Sequence, residues 1–264
     1  MCEIDEVKIY NYLRTPAQIA WDYNRGAPVA QYDFDECTGA ALHDTAPKSD
    51  RSSTTYNGTI YPGSGTPPEN TATGSCSSGN NYEMWNDGTN GKYSASLGFD
   101  GFDDYVSSSL VTDAIDNFSV SMWVKWSGSS GMQTLLFNGN NDSCNGWGIE
   151  LDSSNNYEIQ LLNHCMNTGE TGQSLTPGTW QHLTVVRRNT VWEAYLNGRQ
   201  ITVTGGGTYN ANTPTVQTII GAMDTDGVQH FNGQIDEVKI WNYPLTSAQI
   251  KTLYNNSSAV QFSQ

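Results

Sequence analysis

Residues 4–19, IDEVKIYNYLRTPAQI, return as residues 235–250, IDEVKIWNYPLTSAQI, with 12 of 16 positions identical at an offset of 231. Tyr23-Asn24 and Tyr254-Asn255 extend the match. A duplicated piece this short cannot enclose a core of its own, so it marks the end of a larger unit that recurs. Residues 1–27 therefore read as the terminal strand and short helix of a preceding repeat, 28–258 as the whole of the next repeat, and 259–264 as a tail. The parent is expected to be a tandem array.

Each copy begins as a strand in which Val238 and Ile240 share one face and Glu237 and Lys239 the other. A short helix follows. Thr246, and Thr15 in the first copy, fit an N-cap, and Gln249 (Gln18) falls at the capping-box position three residues on. Between the copies, alternating apolar runs bounded by turn residues predict strands at 29–34, 93–99, 104–106, 118–126, 132–138, 147–151, 157–162, 180–187, 191–196, 215–220 and 233–241. Asn197-Gly198 marks a hairpin turn. Many short strands without a sustained helical period imply an all-β, two-sheet antiparallel sandwich with one short C-terminal helix. The 26 Gly, 14 Tyr and 8 Trp, with only 15% charged residues, suit strands joined by polar turns. Residues 49–92 are rich in Gly, Ser, Thr, Asn and Pro, and read as an irregular insertion.

Charge and cysteines narrow the setting. With 27 acidic against 12 basic residues the net charge is −15, which disfavours nucleic acid and anionic membranes and favours cations. Acidity of this kind also serves solubility alone. No apolar run reaches the roughly 18 residues of a membrane span, and no signal-peptide pattern opens the chain. Five cysteines suggest an oxidising compartment, secreted or at the cell surface. Cys144 and Cys165 flank a hairpin pattern over 147–161 and are the first candidate disulfide. The apolar faces of that hairpin align when paired positions sum to 308 or 310, whereas the cysteines sum to 309, so such a bridge needs a bulge or a place past the ladder. Cys37 and Cys76 would form a second bridge and Cys2 is left over. Five free thiols are the alternative.

Six segments in order resemble the laminin-G-like jelly-roll domains of the concanavalin A-like superfamily. They are VAQYDFDE (29–36), LGFDGFDDYV (97–106), FSVSMWV (118–124), TWQHLTVVR (179–187), YLNG (195–198) and GQIDEVKIW (233–241). The resemblance implies one convex and one concave sheet, ligands taken at the rim or the concave face, and a binding or adhesion role in extracellular multidomain proteins. It also implies calcium where the first and last strands meet a Gly turn, here Asp33, Asp35, the backbone of Gly101, and Asp236; the alternative for Asp236 is a strand-end acid that holds backbone amides. Asp224-Thr-Asp-Gly227 lacks the further acids of a calcium loop and reads as a turn.

Sugar binding combines an aromatic platform with planar polar groups. Tyr82 and Trp85 lie among Asn80, Asn81, Asn86 and Asp87, while Trp147 follows Asn140, Asn141, Asp142 and Asn145. Tyr82, Trp85, Asn140, Asp142 and Trp147 are therefore the candidate ligand residues, with Trp123, Trp180 and Trp192 assigned to the core. Catalysis is not expected. Glu3-Ile-Asp-Glu-Val-Lys8 begins like the Glu-x-Asp-x-x-Glu strand of some enzymes of the superfamily but ends in Lys8. His43, His164, His182 and His230 show no ligand spacing. The expected function is an extracellular carbohydrate-binding or adhesion module stabilised by calcium, its partner a carbohydrate or an extracellular protein. A structural or assembly repeat that self-associates through residues 4–12 is the alternative, and a polysaccharide-cleaving enzyme the third reading.

Overall fold

A computed structural model describes residues 7, 9–15, 18–19, 22, 26–47, 54–66, 68–112, 114–140, 143, 145–153, 158–163, 166–205, 213–224 and 229–255. Cys2, Asp142, Cys144 and Cys165 lie outside these residues. Two sheets face each other. The first runs β1 (Ala30–Tyr32), β15 (Asn232–Trp241), β6 (Asn117–Trp126), β11 (Gln181–Arg188), β12 (Val191–Leu196), β13 (Arg199–Ile201), with β4 (Leu97–Asp100) also on β15. The second runs β10 (Met166–Ser174), β9 (Glu158–Asn163), β8 (Asn145–Asp152), β7 (Gln133–Asn140), β14 (Gln217–Ile220), β5 (Tyr105–Ser109), β3 (Gly58–Tyr61), β2 (Ala41–Leu42). Every pairing among these strands is antiparallel.

Alternation decides which side chains fill the space between the sheets. On β6, Phe118, Val120, Met122, Val124 and Trp126 enter the main core. Phe118 stacks on Trp147 of the opposite sheet with ring centroids 4.2 Å apart, so removing either ring opens a hole that spans both layers. On β8 and β9, Ile149 faces Leu161 and Leu151 faces Ile159. Their positions sum to 310, one of the two registers the apolar pattern allowed.

β15 solves a spacing problem in its own sequence. Ile235 and Val238 are both fully buried although three residues separate them, an odd step that strict alternation sends to opposite faces. The register against β6 shifts between Asp236 and Lys239, and Glu237 takes φ 54°. This bulge restores both apolar residues to the core, while Asp236, opposite Trp123, leaves the core side and is wholly buried under the loop at Tyr93.

Two short helices complete the described residues, α1 (Met84–Asp87) and α2 (Ser247–Tyr254). At α2 the Thr246 hydroxyl accepts the Gln249 amide N–H and the Gln249 side chain accepts the Thr246 N–H, which is the capping box read from the sequence. α2 covers the outer face of the first sheet, where Ile250 packs with Val186, Tyr195, Trp241, Tyr243 and Leu245.

The structure corrects the reading of 49–92 as irregular throughout. Within it β3 pairs with β5, and Ile60 and Trp85 reach the main core. A Cys37–Cys76 disulfide ties the segment to the end of the first strand region across 39 residues. Closing a loop of that length contributes roughly 3–4 kcal/mol by the loop-entropy estimate.

Candidate functional site

Acidic side chains gather at two places along β15 and its neighbour β4. The first is the turn after β4, where one carboxylate oxygen from each of Asp100, Asp103 and Asp104 lies within 4.8 Å of the others. Gly101 makes this turn with φ 87°, and a Cβ there would press on Asn232. Asp104 is fully buried; its carboxylate accepts N–H groups from Gly63 (3.2 Å), Asp100 (2.9 Å) and the Asn70 side chain (2.7 Å). Asp103 accepts the Ser64 amide at 3.0 Å. Burial, and next the charge of Asp100, push the Asp104 carboxyl up to about 7. Asn70 is itself fully buried, and its Oδ1, like Asp103 Oδ1, has no hydrogen-bond partner. Unmet acceptors beside three carboxylates suit a hard cation, which takes oxygen ligands of this mixed kind.

The second place holds Asp35 and Asp236 against one loop. Asp236 accepts the Tyr93 N–H and Asp35 the Ala95 N–H, each at 3.0 Å. Asp236 Oδ1 is buried without a partner. Burial, then the charges of Glu237 and Asp35, raise the Asp236 carboxyl to about 8, so at neutral pH it carries a proton. Of the four metal residues expected from the sequence, then, Asp35 and Asp236 come together. Gly101 belongs to the Asp100–Asp104 turn, and Asp33 is held by the side chains of Gln31 (2.7 Å) and Thr45 (2.6 Å). The four do not make one ligand set.

Beside the acidic turn opens a cleft of about 290 Å³. Its floor is a cross-strand row, Gly98 on β4, Gln234 on β15 and Lys125 on β6. Asp87 of α1 forms one wall, and Phe99, Trp126, Ser127, Gly178, Asn232 and Gly233 complete the lining. A Cβ at Gly98 would approach the Asp87 Cβ to 2.6 Å, so glycine lets the end of α1 pack directly on β4. The Gln234 amide donates to the Asp87 carbonyl, while Gln234 Oε1 is buried without a partner. Burial, then Asp100 and Glu83, raise the Asp87 carboxyl to about 6. Lys125, Asp87 and Gln234 thus line one small space, and the buried Gln234 Oε1 has no protein partner there.

The aromatic platforms expected from the sequence are corrected. Trp85 is fully buried with its indole N–H on the Gly39 carbonyl at 2.8 Å, and Trp147 is 1% exposed with its N–H on the Ala114 carbonyl at 2.7 Å. A ring with both faces packed cannot stack on a sugar. Tyr82 is 39% exposed, but Asn80, Asn81 and Asn86 beside it bond to one another and shape the turn. Asn140 accepts the Ser143 amide at 2.6 Å. Of the three rings expected in the core, Trp192 is there, Trp123 is buried on the outer face against Tyr254, and Trp180 is only half-buried.

The sequence reading missed two groups. Asp87 and Lys125 belong to segments distant in sequence, joined by the β4–β15–β6 register and by the packing of α1 on Gly98. Glu150 and Asp152 alternate on β8, and Asp152 faces Glu158 on β9, so all three leave the core side and align on the outer face of the second sheet. The 310 register was the available signal. Burial, then Asp152, raise the Glu150 carboxyl to about 7. Glu150, Asp152 and Glu158 are each at most 5% exposed, so this row is closed to a polymer.

Two facing antiparallel sheets of this strand order make a concanavalin A-like sandwich. The chain belongs to the Concanavalin A-like lectin/glucanases superfamily, which it matches over residues 99–251. No curated protein matches it. Among solved structures it is similar to domain 4 of AbnA, a GH43 extracellular arabinanase from Geobacillus stearothermophilus, in complex with arabinotriose. That likeness has 20% identity and a TM-score of 0.54, covering 86% of this chain and 98% of that one. The binding domain of botulinum neurotoxin serotype D is similar at 14% identity and TM-score 0.59, over 89% of this chain and 53% of its own. Trypanosoma rangeli sialidase is similar at 12% identity and TM-score 0.57, over 87% and 33%. The chain thus spans about a third of the sialidase and about half of the toxin domain. At these identities the likeness carries the fold.

Proposed function

We propose that the chain is an extracellular carbohydrate-binding module that seats one sugar unit in the cleft between Asp87 and Lys125. The observation that carries this reading is the buried, unpartnered Gln234 Oε1 beside a carboxyl and an ammonium over a glycine floor. Sugar hydroxyls donate and accept at fixed angles, so a site that reads them needs both kinds of group converging on a small volume. The volume is at the lower end of ligand pockets, roughly 300–1,000 Å³, which suits a single ring rather than a long chain. The arabinanase domain solved with arabinotriose supports the class of ligand. Calcium would be held by Asp100, Asp103, Asp104 and Asn70 Oδ1, with further oxygens completing the roughly six to eight it requires. It would supply the positive charge those carboxylates lack, and so tie residues 63–70 to the turn that borders the cleft.

Calorimetric titration with a panel of arabino-, galacto- and sialo-oligosaccharides tests the reading, with calcium present and again after chelation. Saturable heat is expected, weakened at least about tenfold in Asp87→Asn and in Lys125→Ala, and weakened by chelation. No heat with any glycan, or equal binding by both variants, overturns it.

A further inference from the structure

The two copies of the duplicated segment have opposite environments. Val7, Ile9 and Ile19 are 72%, 93% and 57% exposed, whereas their equivalents Val238, Ile240 and Ile250 are fully buried. Tyr12 is 53% exposed and its equivalent Tyr243 2%. Thr15 nevertheless accepts the Gln18 N–H, and Gln18 the Thr15 N–H, as at Thr246 and Gln249. The first copy thus repeats the apolar pattern that fits a strand between β1 and β6, a place that β15 already holds.

The chain length permits the first copy to take that place. Gly26 borders α2: its carbonyl accepts the Tyr243 hydroxyl at 2.8 Å, and it shares a small cavity with Thr252 and Leu253. A first copy seated in the slot would put residue 23 at the position of Tyr254, leaving three residues, a reach of up to roughly 10 Å, to arrive at Gly26. One difference explains why β15 is the occupant. Arg14 stands where Leu245 is 2% exposed, and burying a guanidinium there carries a desolvation penalty that leucine does not.

We propose that residues 4–19 are an exchangeable second copy of β15 and α2, which enters the slot between β1 and β6 of this sandwich, or of a second molecule of the chain, when the resident strand is displaced. The 264-residue chain tests this through three sets of substitutions. Val238→Asp with Ile240→Asp disables the resident copy, Val7→Asp with Ile9→Asp disables the other, and the quadruple variant disables both. The first-copy variant is expected to melt with the parent. The resident-copy variant is expected to keep a cooperative transition, and amide exchange at Val7 and Ile9 should slow about a hundredfold; the quadruple variant should show neither. Sedimentation then separates the two routes: a monomer means exchange within one chain, a dimer exchange between chains, and either supports the proposal. A resident-copy variant as unfolded as the quadruple one, or folded with Val7 and Ile9 still unprotected, overturns it.

Discussion

Residues 4–19 and 235–250 spell nearly the same sentence, and the structure uses half of it twice and half of it once. The Thr-x-x-Gln cap forms in both copies because its bonds join residues three apart and need nothing else. The strand half is buried only in the second copy, between β1 and β6, because its stability lies in partners supplied by the rest of the chain. Helix starts are a property of the segment; a strand is a property of the sheet that receives it.

Substitutions at equivalent positions sharpen this contrast. Burial alone gives Ile240→Ala a loss of about 2–5 kcal/mol, and Ile9→Ala, at an exposed site, a loss within about 0.5 kcal/mol. If the copies exchange, the first figure becomes a ceiling, reached only when both residues are changed. Urea unfolding of the two single variants and the double variant is expected to show coupling above about 0.5 kcal/mol, and simple additivity would break the comparison.

A pH series gives the next effect. The folded-state pKa of Asp236 is raised from 3.8 to about 8 by burial first and by Glu237 and Asp35 next. Between those values the folded chain holds a proton that the unfolded chain has released. Its contribution to stability is full below the lower value and is lost as pH rises through the upper one. In calcium-free buffer Asp236→Asn should flatten that decline in thermal melts, and Asp5→Asn, at the equivalent place in the first copy, should leave it unchanged. The smallest effect separates the caps. Thr246→Ala should lower stability by about 1 kcal/mol, because α2 covers a packed face, while Thr15→Ala leaves the global unfolding transition where it was.

Legibility in the sequence followed the same division. The alternation of Phe118 to Trp126, the hairpin register of β8 on β9 and the box at Thr246 are local patterns, and each reappears in the structure. The bulge of β15 was implicit in the odd spacing of Ile235 and Val238, yet the burial of Asp236 beside it depends on the loop at Tyr93, far away in sequence. Trp85 read as a surface ring because its own surroundings are polar. Its partner, the Gly39 carbonyl, is 46 residues away and becomes a neighbour only through the fold. The cleft was illegible for the same reason: Asp87, Lys125 and Gln234 share no motif, and strand pairing together with the docking of α1 assembles them.

The place of β15 also sets a schedule. It is the final strand in chain order but an interior strand of its sheet, with β1 and β4 on one side and β6 on the other. A nascent chain therefore cannot close this sheet with β15 until residue 241 has emerged, and until then residues 4–19 are the copy at hand. For most of its synthesis β1 and β6 both present bare hydrogen-bonding edges, the kind that recruit strands from neighbouring chains. Among the strands of this sandwich, the one made last is the one that joins β1 to β6 in this structure.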